Sequence, residues 1–450
     1  MRTLIFVAVL GLVGCYVWWR LVRTTQLQGR ARIAVTLAVI LPVLPILALN
    51  FISGSGPPRA NGWFAWPVFV GWALFGFTFL AVVLSDLGRI LVWLVRRARR
   101  SPAMDPSRRQ ALARITGGVV GTAVVGHVGF GMIQALGDAE VVDVPVTLDR
   151  LPRALDGFTI VQLTDVHVGG TIGRTFVSEL VARTNALAPD LIALTGDFVD
   201  GSVDELREAV APLAELRAPH GVFFVTGNHE YHAGAEPWVA HFETLGIRVL
   251  RNARASITRD GASFELAGIE DHAARRYGRP ADLARALAGR DPARAVVLLA
   301  HQPRQVHEAA KHGVDLQLSG HTHGGQVWPW HYLVAAQQGG LLAGRYTVAN
   351  TQLYVSRGPS YWGPPVRVVA PPEITRVNLR AGTPRATEVH SRGAVRDRRR
   401  CVERYRAGDR AAPAAAGWDV LGSLAATRGS SIRAIATWSR MSARRATARR

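Results

Sequence analysis

Four apolar stretches of bilayer length occupy the first 136 residues: Leu4–Val22, Ile33–Ile52, Phe64–Leu84 and Ile115–Leu136. Each approaches the roughly 20 residues a helix needs to cross a hydrocarbon core. The third can run on through Ile90–Val95, past Asp86 and Arg89, as a tilted or interfacial extension. The first would pass for a signal peptide on its own. No small-residue cleavage site follows it and three more segments do, so it reads as an anchor. Residues 1–140 are therefore expected to form a transmembrane region of about four helices. His127, inside the fourth, lies among Gly and Val, which suits a neutral packing histidine better than a functional one.

The net charge is +20, and because lysine occurs once, at Lys311, nearly all of the positive charge is arginine. Such a composition reflects codon usage as readily as an anionic partner, so arginine placement is the informative part. The first connection holds Arg20, Arg23, Arg30 and Arg32; the second, Gly54–Gly62, holds only Arg59. The third holds Arg89, Arg96, Arg97, Arg99, Arg100, Arg108, Arg109 and Arg114. The positive-inside rule puts the first and third connections in the cytoplasm and everything after Leu136 on the extracytoplasmic side. The two cysteines, Cys15 in an apolar run and Cys401 in an arginine-rich tail, have neither disulfide nor metal-ligand spacing. No specific nucleic-acid partner is expected, and no protein partner is indicated.

From about Val141 the pattern changes. Short apolar runs at Thr159–Leu163, Leu191–Leu194, Val222–Val225, Val296–Leu299 and Leu316–Leu318 predict buried strands. Helical periodicity lies between them at Arg174–Leu187, Val203–Leu216 and Gln305–His312, and Ser256–Ile269 predicts a hairpin turning at Asp260-Gly261. The alternation argues for an α/β domain over residues 141–380, with helices covering a sheet. Residues 381–450, rich in Ala and Arg, are expected to be a disordered tail.

Each of the five runs ends in polar residues: Asp165-Val-His167, Gly196-Asp197, Gly227-Asn228-His229-Glu230, His301 and Gly320-His321-Thr322-His323. Any one of these is a common chance pattern. Five in succession, all at the C-terminal ends of buried strands, point to one ligand-binding rim, because open α/β sheets bind ligands at that edge. Two Asp, one Asn and four of the five His as candidate oxygen and nitrogen ligands, with no thiolate, suit a pair of divalent ions, Mn, Fe or Zn. Gly196 and Gly227 either serve simple turns or leave room beside Asp197 and Asn228 for ions and phosphate.

The set D-V-H, G-D, G-N-H-E, H and G-H-T-H resembles the calcineurin-like metallophosphoesterase superfamily over roughly Phe158–Leu379. The segments Leu353–Gly358 and Gly363-Pro-Pro-Val-Arg367 resemble its membrane-associated bacterial branch. The resemblance implies a four-layer αββα sandwich after the four-helix region. It also implies roles: Asp165, His167 and His323 as ligands of one metal, Asn228, His301 and His321 as ligands of a second, Asp197 bridging, and His229 as the catalytic residue facing the phosphate. The expected enzyme is a phosphoric-ester hydrolase that cleaves phosphodiester or pyrophosphate bonds through a dinuclear centre with a metal-bound hydroxide. Anchoring suggests a lipid-linked ester or a nucleotide-sugar lipid as substrate. The alternative is a non-catalytic membrane sensor or binding protein that retains the fold.

Several neighbours stay open at this stage. Glu230 stands where many family members have Asp, and either orients His229 or caps the following turn. Asp271 reads as a turn residue more than a site-rim residue. Arg275, Arg276 and Tyr277 read as solvated loop residues. Trp328, Trp330 and His331 either line a cleft or pack in the core.

Overall fold

The computed structural model describes residues 2–52 and 62–382. From residue 383 the expected tail lies outside the described residues, as does Arg59. The N-terminal region folds as α1 (Arg2–Trp18), extended by a π-helical turn Trp19–Arg23, then α2 (Gly29–Ile40), α3 (Val43–Ile52), α4 (Ala65–Ala98) and α5 (Pro106–Ala135). Among the described residues four spans are long and apolar enough to cross a membrane: Leu4–Arg23, Gly29–Leu49, Gly62–Ala98 and Pro106–Ala135. The second is interrupted between α2 and α3, next to Pro42.

One foreseen extension is present and one boundary differs from expectation. The third span continues as one helix of 34 residues through the polar interval. The fourth begins nine residues before Ile115, where Asp105 accepts hydrogen bonds from the Ser107 and Arg108 N–H groups and Pro106 fills the first helical position. Arg108, Arg109 and Arg114 therefore ride on α5 and not on a loop. The charges within α4 have partners that sequence alone does not reveal. Asp86 accepts hydrogen bonds from Arg20 and, at 2.8 Å, from the Tyr16 hydroxyl, and Arg89 lies 3.4 Å away.

After α5 the described residues form twelve strands: β1 (Glu140–Leu148), β2 (Thr159–Leu163), β3 (Leu191–Thr195), β4 (Val222–Val225), β5 (Arg248–Val249), β6 (Ala253–Arg259), β7 (Ala262–Gly268), β8 (Val296–Leu299), β9 (Leu316–Ser319), β10 (Gly344–Val348), β11 (Thr351–Val355) and β12 (Glu373–Ala381). They form two six-stranded sheets, ordered β1-β12-β2-β3-β4-β5 and β10-β11-β9-β8-β7-β6. The inner strands β2–β4 run parallel to one another, as do β7–β9 with β11.

Alternate residues of the buried strands face opposite layers, which is why they read as continuous apolar runs. Ile160, Leu191 and Phe223 of one sheet meet Phe264, Leu266, Val297 and Leu318 of the other in the central core. Val161, Ile192 and Phe224 face outward, against Val177 and Leu180 of α6 (Arg174–Ala186) and against Trp238 and Phe242. On the far side Ala267, Val296 and Leu298 are covered by Leu283, Leu287 and Ala309. Helix, sheet, sheet, helix is the four-layer sandwich.

The hairpin turns at Asp260 and Gly261, both at positive φ, as its short turn requires. The helix expected over Val203–Leu216 is shorter. It is α7 (Val203–Val210), followed by a 3₁₀ turn Ala211–Glu215, because Pro212 supplies no N–H and clashes with a continuing helix.

A candidate metal centre at the strand ends

The polar clusters leave β2, β3, β4, β8 and β9 at their C-terminal ends, and the backbone there turns sharply. Asp165, His167, Asp197, His321 and His323 all have φ between 50° and 70°. Such left-handed positions cost a non-glycine residue free energy and concentrate at functional sites. Here they bend each chain so that its side chain points toward its neighbours' and not along its own strand.

Three overlapping groups of donor atoms result, each with its atoms within 4.8 Å of one another: Asp165, His167 and His323; His167, Asp197 and His229; and Asp197, His301 and His321. His167 Nε2 lies 3.0 Å from His323 Nε2, and His323 Nε2 lies 3.6 Å from Asp165 Oδ1. His301 Nε2 lies 3.1 Å from Asp197 Oδ2 and 3.2 Å from His321 Nδ1. His229 Nε2 is 3.9 Å from Asp197 Oδ2. Asn228 opens α8 (Asn228–Ala233) between Gly227 and His229, and the His229 N–H donates to Asp197 Oδ1 at 2.8 Å. The Asn228 Oδ1 is buried with no hydrogen-bond partner among the described residues.

The glycines permit this approach. A Cβ on Gly227 would overlap the Asp197 carboxylate, one on Gly320 would overlap the Asp165 carboxylate, and one on Gly196 would lie 2.8 Å from His301 Nδ1.

Hydrogen bonds at the back of the imidazoles fix which nitrogen faces the centre. His301 Nδ1 donates to the Thr195 carbonyl at 2.8 Å, which turns Nε2 inward. His167 Nδ1 and His229 Nδ1 both donate to Asp200 Oδ1, at 2.9 and 2.7 Å. Glu230 does not touch His229's ring. Buried, it accepts from the N–H groups of Asp197, Phe198 and Gly227 at 3.0, 2.7 and 2.6 Å, tying the β3 loop to the β4 loop. The open choice at Glu230 thus resolves toward backbone anchoring, and the group that orients His229 is Asp200.

Arg367, fully buried, places a guanidinium nitrogen 3.2 Å from His323 Nδ1 and donates to the Ala370 carbonyl at 2.9 Å. Asp271 caps the turn His272–Tyr277 through the Ala273 N–H and accepts from Gln302, as a turn residue should. Trp328 and Trp330 are exposed, so they pack in no core.

Asp200 and Arg367 were not among the residues singled out from sequence. The signal for Asp200 was present, since it follows Asp197 by three residues past the end of β3. Arg367 stood in the Gly363-Pro-Pro-Val-Arg367 segment without an assigned role.

Electrostatics separate the groups. Burial opposes charge on Asp197, but His301 and His229 outweigh it and hold the carboxyl well below the usual range. Burial also opposes charge on His229, yet Asp197 and the hydrogen bond to Asp200 lift it to about 9. His321 is driven down to about 3, by burial first and by the neighbouring charge of His301 second. One buried amide oxygen of the cluster, Asn228 Oδ1, has no donor among the described residues. That donor set, oxygen and imidazole nitrogen without thiolate, fits divalent cations.

Comparison with known proteins agrees with this chemistry. The family profile described as calcineurin-like phosphoesterase matches residues 158–325. A metallophosphoesterase of Helicobacter pylori is 36% identical over 277 residues, covering 61% of this chain and 73% of that protein. A "transmembrane protein with metallophosphoesterase domain" from Danio rerio is 36% identical over 314 residues, covering 68% of this chain and 70% of that protein. Its Bos taurus namesake is 38% identical over 306 residues, covering 65% and 68%. With its strand-end donor groups, its paired sheets and these relatives, the chain belongs to the calcineurin-like metallophosphoesterases, metal-dependent hydrolases of phosphoric ester bonds.

Proposed function

We propose that this chain is an integral membrane phosphoesterase that cleaves phosphodiester or pyrophosphate bonds at a dinuclear centre, with a lipid-linked ester as its substrate. Asp165, His167 and His323 would hold one divalent cation, Asn228, His301 and His321 a second, and Asp197 would serve both. The observation that carries this reading is the convergence of donor groups on Asp197 together with the buried, partnerless Asn228 Oδ1. Bound there, a pair of Mn, Fe or Zn ions supplies Lewis-acid stabilisation of phosphoryl oxygens and an acidified water.

The chain's own groups do the rest. The water, having released one proton to solvent, attacks phosphorus through its oxygen opposite the leaving group, and the ester P–O bond breaks. His229, its Nδ1 held by Asp200, presents Nε2 toward the centre. In its protonated form it can hydrogen-bond an equatorial oxygen and give its Nε2 proton to the departing alkoxide. Arg367 and Glu230 hold the surrounding loops and touch no reacting atom.

The test uses the full chain in detergent, supplied with Mn²⁺ and a soluble aryl phosphodiester, beside Asp197→Ala and His229→Ala. Wild type should turn over and bind two metal equivalents per chain. Asp197→Ala should lose both properties. His229→Ala should keep its metal while kcat falls by roughly 10²–10⁴-fold, the usual contribution of acid–base catalysis. Unchanged turnover in His229→Ala, or a folded wild type that binds no metal, would overturn the assignment.

A further inference from the structure

Two segments connect the metal centre to the membrane helices. One runs on from His323 through Gln326 and the helix His331–Gln337; the other spans Tyr361–Val369. Gln326 joins them. Its side-chain amide donates to the Trp362 carbonyl at 2.9 Å and accepts from the Trp362 N–H at 2.9 Å, and its carbonyl accepts from the Val368 N–H at 2.8 Å. Both segments lie against α5. The Arg367 N–H donates to the Gly131 carbonyl at 2.9 Å, and Val327 and Val366 pack with Val124 and Val128. The Trp328 ring lies 6.4 Å from that of His127, which sits 4.7 Å from Phe77 of α4.

The depth of that contact matters. His127 lies eight residues before Ala135, the end of α5, so Trp328 meets the helix about 12 Å back along its axis at 1.5 Å per residue. Beyond that level α5 still turns Phe130 and Ile133 outward, the latter 75% exposed. A bilayer that covers those side chains also reaches Trp328.

The exposed apolar surface has the same location. After residue 136, eight large hydrophobic side chains are exposed among the described residues, and six belong to these two segments: Trp328, Trp330, Tyr332, Leu333, Trp362 and Val369. A clustered apolar patch of this kind marks an interaction surface, and Trp and Tyr favour the membrane–water boundary. The same segments reach the centre, where the Trp362 ring stands 5.7 Å from that of His229 and Arg367 touches His323.

We propose that this aromatic apron is seated in the headgroup region of the bilayer that α1–α5 cross, so that the centre receives the phosphate of a lipid held in that leaflet. The proposal rests on the phosphoesterase reading for its chemistry, but not for the seating.

The experiment uses the full chain in phosphatidylcholine–phosphatidylglycerol nanodiscs, with Cys15 and Cys401 replaced by Ser. A polarity-sensitive fluorophore is placed at Leu333→Cys or, as a control, at Arg217→Cys, which lies before β4 at the opposite edge of the sheet. The expected result is quenching at position 333 by doxyl-labelled lipid and protection from iodide, with the reverse at position 217. In the same discs, Trp330→Ser/Tyr332→Ser should lower the ratio of lipid-ester to soluble-ester turnover on the order of tenfold, as expected for two lost aromatic contacts. Iodide quenching at 333, or an unchanged ratio, overturns the proposal while turnover of the soluble ester leaves the phosphoesterase reading standing. Lipid quenching at 333 with no metal-dependent turnover of either ester supports the seating and overturns the phosphoesterase reading instead.

Discussion

Asp200 serves two imidazoles with one carboxylate oxygen, so His167 and His229 are oriented together. Asp200→Asn keeps the shape and removes the charge. We expect kcat to fall on the order of 10²-fold with metal content retained, and Asp200→Glu to restore part of the rate. Loss of bound metal in step with activity would make Asp200 merely structural. Glu230 has a different task, since its fully buried carboxylate accepts three backbone N–H bonds that link the loops after β3 and β4. Glu230→Gln leaves some of those donors unsatisfied and should cost about 1–3 kcal/mol of stability, read as a lower thermal midpoint of the metal-loaded protein. A His229 partner would instead have shown its loss in kcat alone.

At the scale of elements, short strands end in left-handed residues, and helix α5 forms part of the wall behind the centre. Gly131 is the close point: a Cβ there would overlap Val366 and lie 3.0 Å from Val368 Cγ2. Gly131→Leu should push the Tyr361–Val369 segment away from α5 and with it Arg367, whose N–H is bonded to the Gly131 carbonyl. Turnover of even a soluble ester should drop, while Gly118→Leu, on the same helix with open space around its Cβ, should not change it. Equal activity in the two variants would mean that α5 only anchors. The 3₁₀ turn after α7 makes a related point. The apolar spacing continues through Leu213 and Leu216, but Pro212 decides the hydrogen bonding.

For the whole molecule, the arginines at the start of α5 and the end of α4 lie at the helix ends opposite the sandwich, and by the positive-inside rule we propose an extracytoplasmic catalytic domain. A single cysteine at exposed Arg217 in a background without Cys15 and Cys401 should react with an impermeant maleimide in intact cells; labelling only after permeabilisation would reverse the orientation. Chelation of the purified chain should abolish turnover and lower its thermal midpoint, with both restored by Mn²⁺, because a ligand that binds only the folded state stabilises it. An unshifted midpoint after verified metal loss would show that the buried donors are satisfied without a cation.

Hydropathy and local motif chemistry were enough, on sequence alone, to foresee four bilayer-length spans, the strands β2, β3, β4, β8 and β9, and a polar cluster behind each. These properties are written within single stretches of chain, where an apolar run fixes burial and the residue after it falls at the strand end. Tertiary structure decided what depends on distance between stretches. It paired Asp200, and not Glu230, with His229, because the β3 and β4 loops meet there. It gave Asp86 its partners across α1 and α4, and it set Gly131 of α5 against Val366. No local pattern encodes these contacts, since each depends on how separate elements pack once their apolar faces are buried.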